Sequence, residues 1–243
     1  MVTWYNSIMR LSLFAFPLLA AATLAACGGA SRGDASSNQA LAPNAQPTAA
    51  QAPGETLPKI VAFGDSLTAG YGLSPQESYP TLLQKMIDAD GFRYEVVNAG
   101  ESGGTSAGGV RRIDWSLDAG NVRFVILELG ANDFLRGQPV AETRKNLADI
   151  IERSKSRGAR VLLAGLYTAS DASNDYERQV DEVYRSLAKE QSVTLIPFFL
   201  EGVAGRAELN QQDGVHPNAE GTRLVAATVY RYLKPMLEEE GKK

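Results

Sequence analysis

The chain has 243 residues, enough for one domain with a sizeable core, and its ordinary apolar and charged fractions exclude a fibrous or wholly disordered protein. Its 24 basic and 28 acidic residues leave a formal charge of −4. They are scattered, with no Lys/Arg cluster of the kind that follows a phosphate backbone, so nucleic acid is not expected as a partner.

Near the start, Arg10 precedes a mostly apolar run from Leu11 to Ala26, the pattern of an export signal, and residues 1–26 are expected to be removed. Pro17 interrupts the run, which falls short of the ~20 apolar residues that cross a bilayer comfortably, so a permanent spanning helix is the weaker alternative. The run closes on Leu24-Ala25-Ala26-Cys27, which resembles a bacterial lipoprotein signal, whose cysteine is diacylated and becomes the new N-terminus. Cys27 is the only cysteine, so no intrachain disulfide forms; the alternative is a chance cysteine in an ordinary cleavage region. Lipidation would anchor the protein stably in a bacterial cell envelope, facing the periplasm, because stable anchoring takes two acyl chains. Residues 27–57 are rich in Ala, Gly, Ser, Asn, Gln and Pro without an apolar period, and are expected to form a flexible tether.

From Lys59 short β-branched runs alternate with longer amphipathic segments, the signature of βαβ units. Strands are predicted near Lys59–Phe63, Tyr94–Asn98, Phe124–Leu129, Arg160–Ala164 and Thr194–Ile196. Helices are predicted near Tyr79–Ala89, Val140–Arg157, Asp175–Lys189 and Ala219–Leu237, with a shorter one at Gly109–Leu117. Right-handed crossovers would place helices on both faces of one five-stranded, mainly parallel sheet, giving a three-layer α/β/α domain over residues 58–243. Glu238-Glu239-Glu240 is expected as the solvated end of the last helix.

In such sheets ligands bind beyond the carboxyl ends of the strands. Four polar, glycine-containing segments are candidates for that rim: Gly64-Asp65-Ser66-Leu67, Asn98 to Ser106 with Ser102-Gly103-Gly104 inside it, Gly130-Ala131-Asn132-Asp133, and Asp213 to Asn218. Together they resemble the SGNH (GDSL) hydrolase family, nearest to its bacterial thioesterase, lysophospholipase and arylesterase group, over about Ile60 to Tyr232. The resemblance implies a flavodoxin-like SGNH fold. It also implies Ser66 as nucleophile, Gly103 and Asn132 in the oxyanion hole, and Asp213 with His216 as acid and base.

The chemistry is coherent without the family. A serine hydroxyl needs a neighbouring base, an imidazole with its ordinary pKa near ~6.5 suits neutral pH, and His216 is the only histidine. A carboxylate on Nδ1–H would hold the tautomer that leaves Nε2 free toward Ser66, and Asp213 is three residues away. The N–H groups of Ser66 and Gly103 and the amide of Asn132 would serve the oxyanion. Each block also has a structural explanation: Ser66 as a helix N-cap, Gly103-Gly104 and Asn132-Asp133 as turns or caps, His216 as a surface residue, Asn218 as the cap of the last helix. Their conjunction in the required order favours catalysis.

Gly100 to Gly109 lacks the lysine of a phosphate loop, and one His with one Cys makes no zinc cluster, so no cofactor and no metal are expected. The stretch Ala131 to Gly137 resembles the Gly-x-Asn-Asp-x-Leu-Arg-Gly of the thioesterase group, in which glycine often stands where this chain has Phe134. That ring would narrow or roof the acyl groove and favour short or medium acyl chains; packing of Phe134 on the domain is the alternative. The expected function is therefore a serine esterase acting on arylesters, short or medium acyl esters or lysophospholipids through an acyl-enzyme on Ser66. A carbohydrate O-acetyl esterase and a non-catalytic envelope-binding lipoprotein are the competing classes.

Overall fold

A computed structural model describes residues 56–166 and 175–242. The expected signal segment, Cys27 and almost all of the tether lie outside the described residues. Five strands, β1 (Lys59–Gly64), β2 (Glu95–Gly100), β3 (Val122–Glu128), β4 (Arg160–Ala164) and β5 (Thr194–Ile196), pair in parallel throughout in the order β2-β1-β3-β4-β5. The helices are α1 (Ser66–Ala69), α2 (Tyr79–Ala89), α3 (Ser106–Leu117), α4 (Ala131–Leu135), α5 (Val140–Ser156), α6 (Asp175–Gln191) and α7 (Ala219–Glu240).

Alternation along β1 divides the core. Ile60 and Ala62 pack with Leu83 and Ile87 of α2 and Val225, Val229 and Leu233 of α7. Val61 and Phe63 pack on the opposite face with Ile113 of α3, Leu147 and Ile150 of α5 and Leu187 of α6. A sheet covered on both faces favours apolar residues on both, which is why Ile60–Phe63 of β1 and Phe124–Leu127 of β3 read as continuous apolar runs. The three-layer α/β/α architecture is as expected, and the strand order is the flavodoxin-like one. The chain leaves β1 to one side to form β2 and then crosses back to β3, so the loops after β1 and β3 diverge and open a crevice at their carboxyl ends.

Two short helices escape the sequence pattern, because α1 and α4 are too short to show a 3.6-residue period. α3 starts at Ser106, ahead of the expected Gly109, where the Thr105 hydroxyl accepts from the Gly108 N–H at 3.2 Å; Gly108 and Gly109 hide the apolar period there. The acidic run at the end of α7 is more than a solvated terminus. Glu239 pairs with Arg160 at 2.8 Å and Glu240 with Arg123, pinning the helix to the starts of β4 and β3.

Candidate active site

β1 ends at Gly64 and the chain turns at once into α1. Asp65, not Ser66, caps that helix, its Oδ1 accepting from the Leu67 N–H at 3.0 Å. Ser66 is therefore the first helical residue, and its hydroxyl is free for a tertiary partner. Its Oγ lies 2.9 Å from His216 Nε2, although 150 residues separate the two. His216 Nδ1 lies 2.7 Å from Asp213 Oδ2, while Asp213 Oδ1 accepts from the N–H groups of Val215 and His216 at 2.9 and 3.0 Å. Burial pushes the Asp213 carboxyl up, but those N–H groups and the imidazole outweigh it and hold the group below its ordinary value.

The loop that carries His216 is fastened at both ends. Gln211 N–H donates to the His216 carbonyl at 2.7 Å, and Asn218 N–H donates to that of Leu209 at 2.9 Å. Asn218 is also the N-cap of α7, accepting from the N–H groups of Glu220 and Gly221 at 3.0 Å each.

Asn132 comes to Ser66 through Asp65: its Nδ2 donates to Asp65 Oδ2 at 2.9 Å, which fixes the amide plane and leaves its second hydrogen. Gly103 sits on the loop between β2 and α3, where Arg136, just past α4, donates to its carbonyl at 3.1 Å. The Ser66 N–H, at the first position of a helix, has no intrahelical acceptor. The three donors expected at an oxyanion site thus come from the loops after β1, β2 and β3.

Several supporting residues carry no motif signal. Asp133 is buried and accepts from the N–H and hydroxyl of Ser106 at 2.8 and 2.5 Å and from Thr143 Oγ1 at 3.3 Å, tying the third block to α3 and α5. Glu128, at the end of β3, is buried below the Ser66 turn. Its Oε2 accepts from the Asp65 N–H at 3.2 Å and from Thr68 Oγ1 at 2.8 Å. A side chain at Gly64 would place its Cβ 2.5 Å from that same oxygen, so only glycine lets β1 approach so closely. Burial, then the charge of Asp65, push the Glu128 carboxyl well above the ordinary range. One cue was present in the chain: a glutamate inside the apolar run Val125 to Leu129.

Phe134 requires a correction. Its side chain is only 5% exposed, and it packs edge-on against Tyr184 and Tyr176 at 6.4 and 6.3 Å in the core between β3, α5 and α6. Leu135 takes the exposed position instead, because one step along a helix turns the side chain by about 100°. The ring fills the domain and does not roof a groove. Among the described residues no group of three or more His, Cys, Asp or Glu could hold a metal ion, and no helix is long and apolar enough to cross a membrane.

Known proteins resemble both the sequence and the fold. The model of the GDSL-like Lipase/Acylhydrolase family matches residues 62–224. The esterase TesA of Pseudomonas aeruginosa is 38% identical over 187 residues, which span 77% of this chain and 92% of that protein. Thioesterase 1/protease 1/lysophospholipase L1 of Escherichia coli K12 is 34% identical over 181 residues, 74% of this chain and 86% of that protein. A crystal structure of TesA superposes with a TM-score of 0.70 at 37% identity, covering 73% of this chain and 98% of that one.

Proposed function

The chain belongs to the GDSL-like lipase/acylhydrolase family and is a carboxylic ester hydrolase, and from that premise we propose that it works through an acyl-enzyme on Ser66. The observation that carries this reading is the continuous chain Asp213–His216–Ser66, with separations of 2.7 and 2.9 Å. His216 Nε2 takes the Ser66 proton as Oγ attacks the ester carbonyl carbon. The tetrahedral intermediate puts its negative oxygen toward the N–H groups of Ser66 and Gly103 and the amide of Asn132. His216 then returns the proton to the leaving oxygen, and water repeats the sequence on the acyl-enzyme.

The substrates proposed are arylesters, other acyl esters and lysophospholipids. With Phe134 in the core, no residue of the sequence argument carries a chain-length preference, and a series of p-nitrophenyl esters of increasing length defines it directly. Asn132 supplies the test of the oxyanion site. In Asn132→Ala, kcat for p-nitrophenyl acetate is expected to fall on the order of 10²-fold with KM little changed, because the lost donor acts on charge that exists only after attack. A fall in KM-dependent binding alone, with kcat intact, would remove Asn132 from that role.

The same proposal places the enzyme in the bacterial envelope, exported and held by acyl chains on Cys27. Its support is the run Leu11 to Ala26 closing on Leu24-Ala25-Ala26-Cys27. Metabolic labelling with radioactive palmitate is expected to mark the full-length chain and to vanish in Cys27→Ser; label that persists in the variant refutes the anchor.

A further inference from the structure

One aromatic ring beside the site has no part in the acyl-transfer scheme. Tyr71, two residues past α1, is 53% exposed, yet its ring centroid lies 4.7 Å from that of His216. A single exposed aromatic is unremarkable by itself. What sets this one apart is how firmly its backbone is held. Gly70 and Gly72 flank it with φ of +79° and +74°, a left-handed backbone that favours glycine. A Cβ at Gly70 would stand 2.8 Å from Ser78 Cβ, and one at Gly72 would collide with the Gln211 amide. Gln211 Nε2 in turn donates to the Tyr71 carbonyl at 2.7 Å and to the Pro217 carbonyl at 3.0 Å, while its N–H holds the His216 carbonyl. One glutamine therefore fixes the tyrosine backbone and the histidine loop in a single frame.

The chemistry says what lies on that side. When the intermediate collapses, the ester C–O bond breaks, its electron pair leaves on the alcohol oxygen, and that oxygen takes the proton from His216 Nε2–H. The carbonyl re-forms with the acyl group left on Ser66 Oγ. The leaving oxygen must therefore lie within hydrogen-bond reach of His216, and its substituent extends along whatever surface adjoins the imidazole. Ser66, Leu67, Tyr71, Leu73, His216 and Pro217 line a small void beside the nucleophile that runs inward to the buried Tyr79, Phe199 and Val225.

We infer that Tyr71 is a specificity-determining residue that receives the leaving group, its exposed ring stacking against planar or aryl alcohols as they depart. This rests on the acyl-enzyme reading of Ser66 and His216. A rigid aromatic offers contact area at little entropic cost, and an aromatic pair contributes roughly two- to tenfold in an equilibrium or rate.

The test compares phenyl acetate with ethyl acetate, which share the acyl group and differ only in what leaves, in wild type, Tyr71→Ala and Tyr71→Phe, followed by pH-stat. The readout is the ratio of kcat/KM for the aryl ester to that for the alkyl ester, in which intrinsic reactivity cancels between variants. The ratio is expected to drop roughly two- to tenfold in Tyr71→Ala and to be retained in Tyr71→Phe. If both esters lose equally in Tyr71→Ala, the ring acts only by packing on His216 and the inference is overturned. Failure of the underlying mechanism looks different: the wild type would turn over neither ester and take up no fluorophosphonate, and both proposals would fall together.

Discussion

Ser66→Ala is expected to lower kcat for p-nitrophenyl acetate by on the order of 10⁶-fold, with the fold intact and fluorophosphonate labelling abolished. The size follows from the role, because a nucleophile and its base act as one unit and removing either forfeits nearly all of what they do together. The intact fold follows from the local structure. Had Ser66 been the N-cap, alanine would also cost about 1 kcal/mol of helix stability. Asp65 caps α1 instead, with Oδ1 on the Leu67 N–H, and the Ser66 hydroxyl is bonded to His216. Circular dichroism and the urea midpoint are therefore expected to match wild type while turnover collapses. A labelled alanine variant, or one retaining a hundredth of wild-type turnover, would remove Ser66 as the nucleophile.

Much of this was legible in the chain because it is local. The apolar run Ile60-Val61-Ala62-Phe63 specifies a buried parallel strand, and the 3.6-residue pattern of Val140 to Arg157 specifies α5 to within a residue. Asp213 and His216 share one short loop, so their pairing needs no knowledge of the fold. The pairings that were not legible span the sheet. Asn132 to Asp65 joins residues 67 apart, and Glu128 to Thr68 joins residues 60 apart. Both depend on β1 lying beside β3, which periodicity does not encode. Phe134 shows the same limit in reverse: neighbourhood in sequence to Asn132 implied neighbourhood in the site, and helix geometry turned the ring into the core. Tyr71 offered no cue, since its distinction is a glutamine 140 residues away.

Asp213→Asn separates the carboxylate's charge from its shape. The asparagine oxygen can take over the bonds that Asp213 Oδ1 accepts from the N–H groups of Val215 and His216, which turns the amide NH₂ toward His216 Nδ1. A donor there demands that Nδ1 accept, so the imidazole proton moves to Nε2 and points at Ser66. The base then presents a hydrogen where it needs a lone pair. kcat is expected to fall about 10³–10⁴-fold with KM nearly unchanged, the lower end reflecting a side chain that is 41% exposed and whose charge water partly replaces. A loss under tenfold would mean that His216 keeps its tautomer unaided. The pH dependence follows from the same contacts. Because the donors around Asp213 hold its folded-state value below that of the unfolded chain, near ~3.9, its contribution to stability is present above that value and is lost as pH falls through the lower folded one. The carboxylate is thus ionised at neutral pH, where it faces His216 Nδ1 at 2.7 Å. Asp213→Asn should also remove this group's acid-labile contribution to stability, so that urea midpoints of variant and wild type converge as pH is lowered below the ordinary carboxylate range.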